Sequence, residues 1–157
     1  MKPQKLLSIL FCVCVSLAAV AAAPAKVKSA PAKTKPAASN SPGAVATQFW
    51  RAVVRGDPAA AEKFVVGSSV KAQIKAAIDG FRALKASLPP NDPDAAKMLD
   101  VLRNARFVDG EIKGDVAVAY MVVVIEVNGR RIEHVEKSNP MKLRKVNGRW
   151  KVDLDGK

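Results

Sequence analysis

With 157 residues, 49% of them hydrophobic and 5% aromatic, the chain can bury one core and is too short for two domains. Its formal net charge of +12 favours loose, salt-sensitive association with polyanions. The few aromatics argue against a nucleic-acid reader, which stacks bases on aromatic platforms in a basic groove.

Lys2 and Lys5 precede an uncharged run, Leu6 to Ala23, that ends in small residues at Ala21, Ala23 and Ala25. This pattern predicts a secretory signal peptide over residues 1–25. A permanent anchor is the competing reading, because a run of about 18 apolar residues approaches the length that spans a bilayer. The alanine-rich exit and the lack of a basic cluster directly after it favour cleavage. The cut is expected after Ala25, with Ala23 at the minus-three position, or after Ala23, which would leave Pro24 first. The expected address is the periplasm or the exterior, with no membrane span once the signal is removed. Cys12 and Cys14 leave with the signal, so the mature chain has no disulfide framework, thiol nucleophile or thiolate metal site.

Residues 26–41 read as an Ala/Pro/Lys-rich linker, with too few apolar side chains to offset the entropy of ordering it. Its Lys26, Lys28, Lys33 and Lys35 are either a tether to anionic envelope material or a solvated spacer. Residues 42–157 then form the domain. Ser41 and Pro42 predict a helix start, Val45, Phe49, Ala52 and Val53 its buried stripe, and Gly56 its stop. Asp57 and Pro58 open a short second helix expected to run through Ala60, Ala61 and Phe64 to Gly67.

A third helix is predicted from Ser69 to Leu88, with Val70, Ile74, Ile78, Phe81 and Leu84 on one stripe and Pro89 and Pro90 after it. Lys71, Lys75, Arg82 and Lys85 fall within an arc of about 80° on this helix. They form a candidate basic surface, for which the plainer reading is the wet flank of an amphipathic helix. Asp92 and Pro93 start a fourth helix that fades near Asn104.

The C-terminal third reads as a sheet. Asn128-Gly129 and Asn147-Gly148 each supply the positive φ angles of a two-residue type I′ hairpin. Tight turns pair Val127 with Arg130, Ile125 with Ile132, Val123 with His134 and Met121 with Glu136. In the second hairpin Val146 pairs with Arg149, Lys145 with Trp150, Leu143 with Val152 and Met141 with Leu154. A strand over Arg106 to Lys113 precedes them, and Asn139-Pro140 predicts a bulge. Val116 to Val127 is apolar on both faces, so helices can cover one face; what covers the other is open, and a second copy, giving a homodimer through the sheet, is one answer.

Helices first and hairpins last, with AVATQFWRAVVRGDPAAAEKF (Ala44 to Phe64) leading and KLRKVNGRWKVDLDG (Lys142 to Gly156) closing, resemble the nuclear transport factor two-like superfamily. More narrowly the chain is similar to SnoaL-like and ketosteroid-isomerase-like cone folds, in their exported lumazine-binding-like branch. The resemblance implies an α+β fold of N-terminal helices packed on a curved antiparallel sheet, a cystatin-like roll, with a pocket at its open end and frequent dimers. It implies no particular chemistry, because the scaffold hosts several enzyme classes and many non-enzymes.

His134 is the single histidine, and Glu136 lies two positions on, so a strand aims both at one face beside Met121 and Val123. These four residues are the pocket candidates, with His134 and Glu136 the catalytic candidates. Tyr120, of opposite parity, should point away from them. One histidine without converging carboxylates builds no zinc site, and neither a serine elbow nor a Gly-rich phosphate loop is present. No metal or cofactor is expected. The resulting expectation is an exported, non-enzymatic binding or interaction module of the cell envelope, taking an unidentified small ligand or weakly holding anionic envelope components. The alternatives are an isomerase-like or hydrolase-like enzyme using His134 and Glu136, and a basic protein that binds anionic envelope polymers.

Overall fold

The computed structural model describes residues 40–127 and 129–156. The expected signal peptide, its expected cleavage site and the linker reading up to residue 39 lie outside the described residues, as do Asn128 and Lys157. Helix α1 spans Pro42–Arg55, with the Ser41 side chain accepting the Ala44 N–H and Pro42 in its first turn. Gly56, at φ 72°, closes it by donating its N–H to the Ala52 and Val53 carbonyls, a left-handed cap that glycine adopts without a Cβ penalty. Helix α2 is only Pro58–Glu62, capped by Asp57 on the Ala60 N–H.

The second helix was expected to reach Gly67, and this is corrected. Val65–Val66 form a short strand, β1, which runs parallel to the last strand with Val65 opposite Val152 and Val66 opposite Asp153. The Phe64 and Val66 carbonyls accept the Val152 and Leu154 N–H groups. Two β-branched residues gain ladder bonds there that another helical turn could not supply. Helix α3 spans Val70–Ser87 and buries Ile74, Ile78 and Phe81. Helix α4 spans Pro93–Arg103, with Asp92 accepting the Asp94 N–H.

The remaining strands are β2 (Arg106–Lys113), β3 (Val116–Val127), β4 (Arg130–Val146) and β5 (Arg149–Asp153). They join β1 in one open sheet of order β1-β5-β4-β3-β2. The fold is therefore α+β, with an otherwise antiparallel sheet made mixed by β1. The β3–β4 register agrees with the pairing expected from the Asn-Gly turns, from Val127 opposite Arg130 to Met121 opposite Glu136. So does the β4–β5 register from Val146 opposite Arg149 to Leu143 opposite Val152. Asn147 and Gly148 both take positive φ, 50° and 76°. Met141 and Leu154 do not pair, because β5 ends at Asp153 and Leu154 bonds to β1 instead.

Between Ala119 opposite Met141 and Met121 opposite Glu136 the register shifts. Tyr120 alone on β3 faces the four residues Lys137 to Pro140 on β4. Pro140 has no N–H to give to a ladder, which accounts for the bulge at this point.

One sheet face carries Phe107, Ala117, Ala119, Met121, Val123, Leu143, Trp150 and Val152, all buried in a core with Phe49, Trp50 and Val53 of α1. The opposite, outer face carries Val118, Tyr120, Val122 and Val124 of β3. On that face Arg106 Nη2 meets Glu133 Oε2 at 2.8 Å, joining β2 to β4 across β3 between Val122 and Val124. The ends of the sheet are tied to the helices. Thr47 Oγ1 donates to the Gly43 carbonyl at 2.7 Å and accepts the Phe107 N–H at 2.8 Å. Asp109 Oδ1 accepts the Gly43 N–H at 2.6 Å. The start of α1 thus sits against β2 at Phe107 to Asp109.

Candidate functional site

The β3–β4 hairpin places His134 opposite Val123 and Glu136 opposite Met121, so all four share the helix-facing side. Met121 and Val123 are buried at 4% and 3% exposure and belong to the core. His134 and Glu136 lie beyond it, their side chains 50% and 15% exposed, with Nε2 and Oε2 4.0 Å apart. Tyr120 pairs with Val108 on the outer face. Its ring packs over Gly110, where an added Cβ would lie 2.5 Å from a ring carbon. The strand pleat therefore keeps Tyr120 from joining the His134 and Glu136 pair.

Glu136 is engaged by its own bulge. Its Oε1 accepts the Ser138 N–H at 2.7 Å and the Ser138 hydroxyl. These bonds, helped less by His134 and opposed by burial, hold the Glu136 carboxyl below its usual range. A depressed carboxylate is a weak base and a poor proton donor near neutral pH. Glu136 thus acts as an ionised acceptor that fastens the bulge, and the half-exposed His134 edge is open to solvent or a ligand.

The stabilisation Glu136 contributes is present above the ordinary glutamate pKa and is lost as pH falls through its folded value. Ser138→Ala is expected to raise the Glu136 pKa towards the ordinary range, as followed by NMR titration of the side-chain carboxyl. An unchanged titration would show that the Ser138 hydroxyl does not set it, since alanine keeps the backbone N–H bond.

On α3, Lys71, Lys75, Arg82 and Lys85 are all exposed, but Asp79 shares their flank. Lys75 Nζ pairs with Asp79 Oδ2, and Arg82 Nη1 lies 3.7 Å from Oδ1. The hydrogen bond from Lys75, with the charges of Lys75 and Arg82, holds Asp79 below its usual pKa. Lys71 and Lys85 remain at opposite ends, about 21 Å apart along the axis. The signal was readable, since Asp79 stands four residues after Lys75 and three before Arg82, the spacings of helical neighbours.

Another group of cations was not singled out from the sequence, although the Asn147-Gly148 register contains it. Lys142 and Arg144 of β4 and Arg149 and Lys151 of β5 have the parity opposite to buried Leu143, Trp150 and Val152. They therefore gather on the outer face.

Among the described residues no group of three or more His, Cys, Asp or Glu side chains could hold a metal ion. No helix among them is long and apolar enough to cross a membrane. Comparison with protein-family models, curated proteins and solved structures finds no match to the chain.

Proposed function

We propose that this chain is an exported, non-enzymatic binding or interaction module of the cell envelope, its nuclear transport factor two-like domain carried on a basic linker. The supporting observation is the state of Glu136. The carboxylate that an isomerase-like or hydrolase-like mechanism would need as a base is bonded to Ser138 and held ionised at low basicity. His134 stands 4.0 Å from it with half of its side chain exposed, and Tyr120 lies on the far face. A general base needs a pKa near the working pH and a proton within reach. The signal-like start, Lys2 to Ala25, supports export.

Protein recovered from the periplasmic fraction should begin at Lys26 or Pro24. It should show no turnover above buffer on a panel of enolisable ketones and activated esters. Turnover abolished by both Glu136→Gln and His134→Ala would replace this reading with the enzyme, and a full-length product retained in the membrane would remove the export half.

A further inference from the structure

We infer that the outer face of the β4–β5 hairpin is a docking surface for a linear phosphate polymer, an inference that rests on the binding-module reading above. Lys142 and Arg144 form one row on β4, and Lys151 and Arg149 form a second on β5, with Arg144 directly opposite Lys151 and Arg149 opposite Val146. Residues two apart on a strand are separated by about 6.8 Å, and direct cross-strand partners by about 5 Å. Four cations therefore lie within one small area of a single face.

The surroundings hold these cations in place without neutralising most of them. Lys142 Nζ donates to the Gly156 carbonyl at 2.7 Å, and Lys151 Nζ donates to the Lys63 carbonyl. Both acceptors are uncharged, so each ammonium keeps its charge and two further donors. Among the described residues, the carboxylate paired with one of these cations is Asp153, 7% exposed, whose Oδ2 lies 3.7 Å from Arg144 Nε. That Nε is buried without a hydrogen-bond partner, while the Arg144 side chain as a whole is 42% exposed. Pinned side chains lose less freedom when a ligand arrives. The flank of α3 differs, because Asp79 stands among its cations and engages Lys75 and Arg82.

The layout selects among anions. Exposed cations each hold a single small anion weakly because water and salt screen them, so the ligand must engage several at once. An extended acidic peptide presents one carboxylate per about 6.8 Å on a given side and would meet only one of the two rows. A phosphate chain carries its charges closer together and can satisfy both. None of the four patch residues is aromatic, and Tyr120, farther along the same face, has its ring over Gly110, so the patch lacks the row of stacking platforms of a nucleic-acid groove. Its exposed apolar neighbour is Val116, too small an anchor to insert in a bilayer.

The test is binding of long-chain inorganic polyphosphate to the full chain, measured against salt. The wild type should bind. Lys142→Glu/Arg149→Glu should weaken binding roughly tenfold and flatten the salt slope by about one unit for each cation removed. Lys71→Glu/Lys85→Glu on α3 changes net charge equally and should weaken binding less than about twofold. Circular dichroism and thermal unfolding check folding, and Lys142→Gln/Arg149→Gln takes the place of a charge-reversal variant that does not fold.

Equal losses in the two pairs would overturn the surface, because net charge alone would explain the binding. Binding of poly-glutamate or anionic vesicles in preference to polyphosphate would overturn the phosphate polymer as partner. Failure to bind any of these probes would overturn the inference while leaving the module reading to be judged by its own turnover and export assays.

Discussion

Trp50→Ala is expected to destabilise the domain by about 3 to 5 kcal/mol, the range for truncating a large buried aromatic. Trp50 is 6% exposed and joins four elements. Its ring meets Phe81 of α3 at 6.2 Å and 81°, and Phe107 of β2 at 6.5 Å and 63°. Both are edge-to-face contacts that add to simple burial. Its Nε1 donates to the Leu102 carbonyl at the end of α4 at 2.8 Å, in a buried hydrogen bond. Truncation leaves a cavity and removes a buried hydrogen bond from the Leu102 carbonyl, which keeps only backbone donors such as the Ala105 N–H at 3.4 Å. Trp50→Phe keeps much of the packing and loses the donor, so it should cost less, about 1 to 3 kcal/mol. Urea unfolding with an unchanged slope measures both. A loss below about 1 kcal/mol for the alanine variant would mean that the site collapses around the missing ring.

Gly43→Ala should be nearly as damaging, at about 3 kcal/mol, the upper end for overpacking. At an open helix position the same change would stabilise by up to about 1 kcal/mol. Here a Cβ would lie 2.8 Å from the Phe107 carbonyl oxygen, 2.9 Å from Val108 C and 3.0 Å from Asp109 N. All three are backbone atoms of β2, and none can rotate aside. Relief requires α1 to lift from the strand, which stretches the bonds from Gly43 to Asp109 and from Phe107 to Thr47. Thermal unfolding of the variant checks this, and a melting temperature equal to or above wild type would show that the helix start is free to move.

The parts of this fold legible in the sequence are those set by neighbours in the chain. Ser41, Asp57 and Asp92 each precede a proline and each caps the helix that follows. The Asn-Gly turns fix two hairpin registers, because a two-residue turn leaves no freedom to slip. Strand β1 was not legible. Val65 and Val66 continue an apolar run after α2, and the strand that makes them extended starts only at Arg149.

The candidate site divides in the same way. Strand parity foretells that His134 and Glu136 share a face and that Tyr120 does not. The capture of Glu136 by Ser138 depends on how the chain bends ahead of Pro140, which parity does not describe. Asp79 was within reach of helical spacing, and the cations of β4 and β5 were within reach of the register. Their relevance emerges only when the flank of α3, where Asp79 engages Lys75 and Arg82, is set beside the outer face, where Asp153 engages Arg144 alone.

The attachment of α1 to β2 has a consequence for how the chain folds. Gly43 and Asp109 are 66 residues apart, Trp50 and Leu102 are 52 apart, and Ser68 reaches Asp155 across 87. Helix α1 therefore finds its partners only once α4 and β2 exist, and β1 only once β5 does, and such distant contacts slow folding relative to local ones. A chain crossing a membrane N-terminus first would present α1, α2 and β1 before the sheet they serve. Those segments wait unpaired, and as the strands emerge they occupy the backbone groups at which another molecule's strand could add. The segment made first thus covers part of each side of the sheet, β1 along β5 and the start of α1 at Phe107 of β2, a safeguard against strand addition built into the order of the chain.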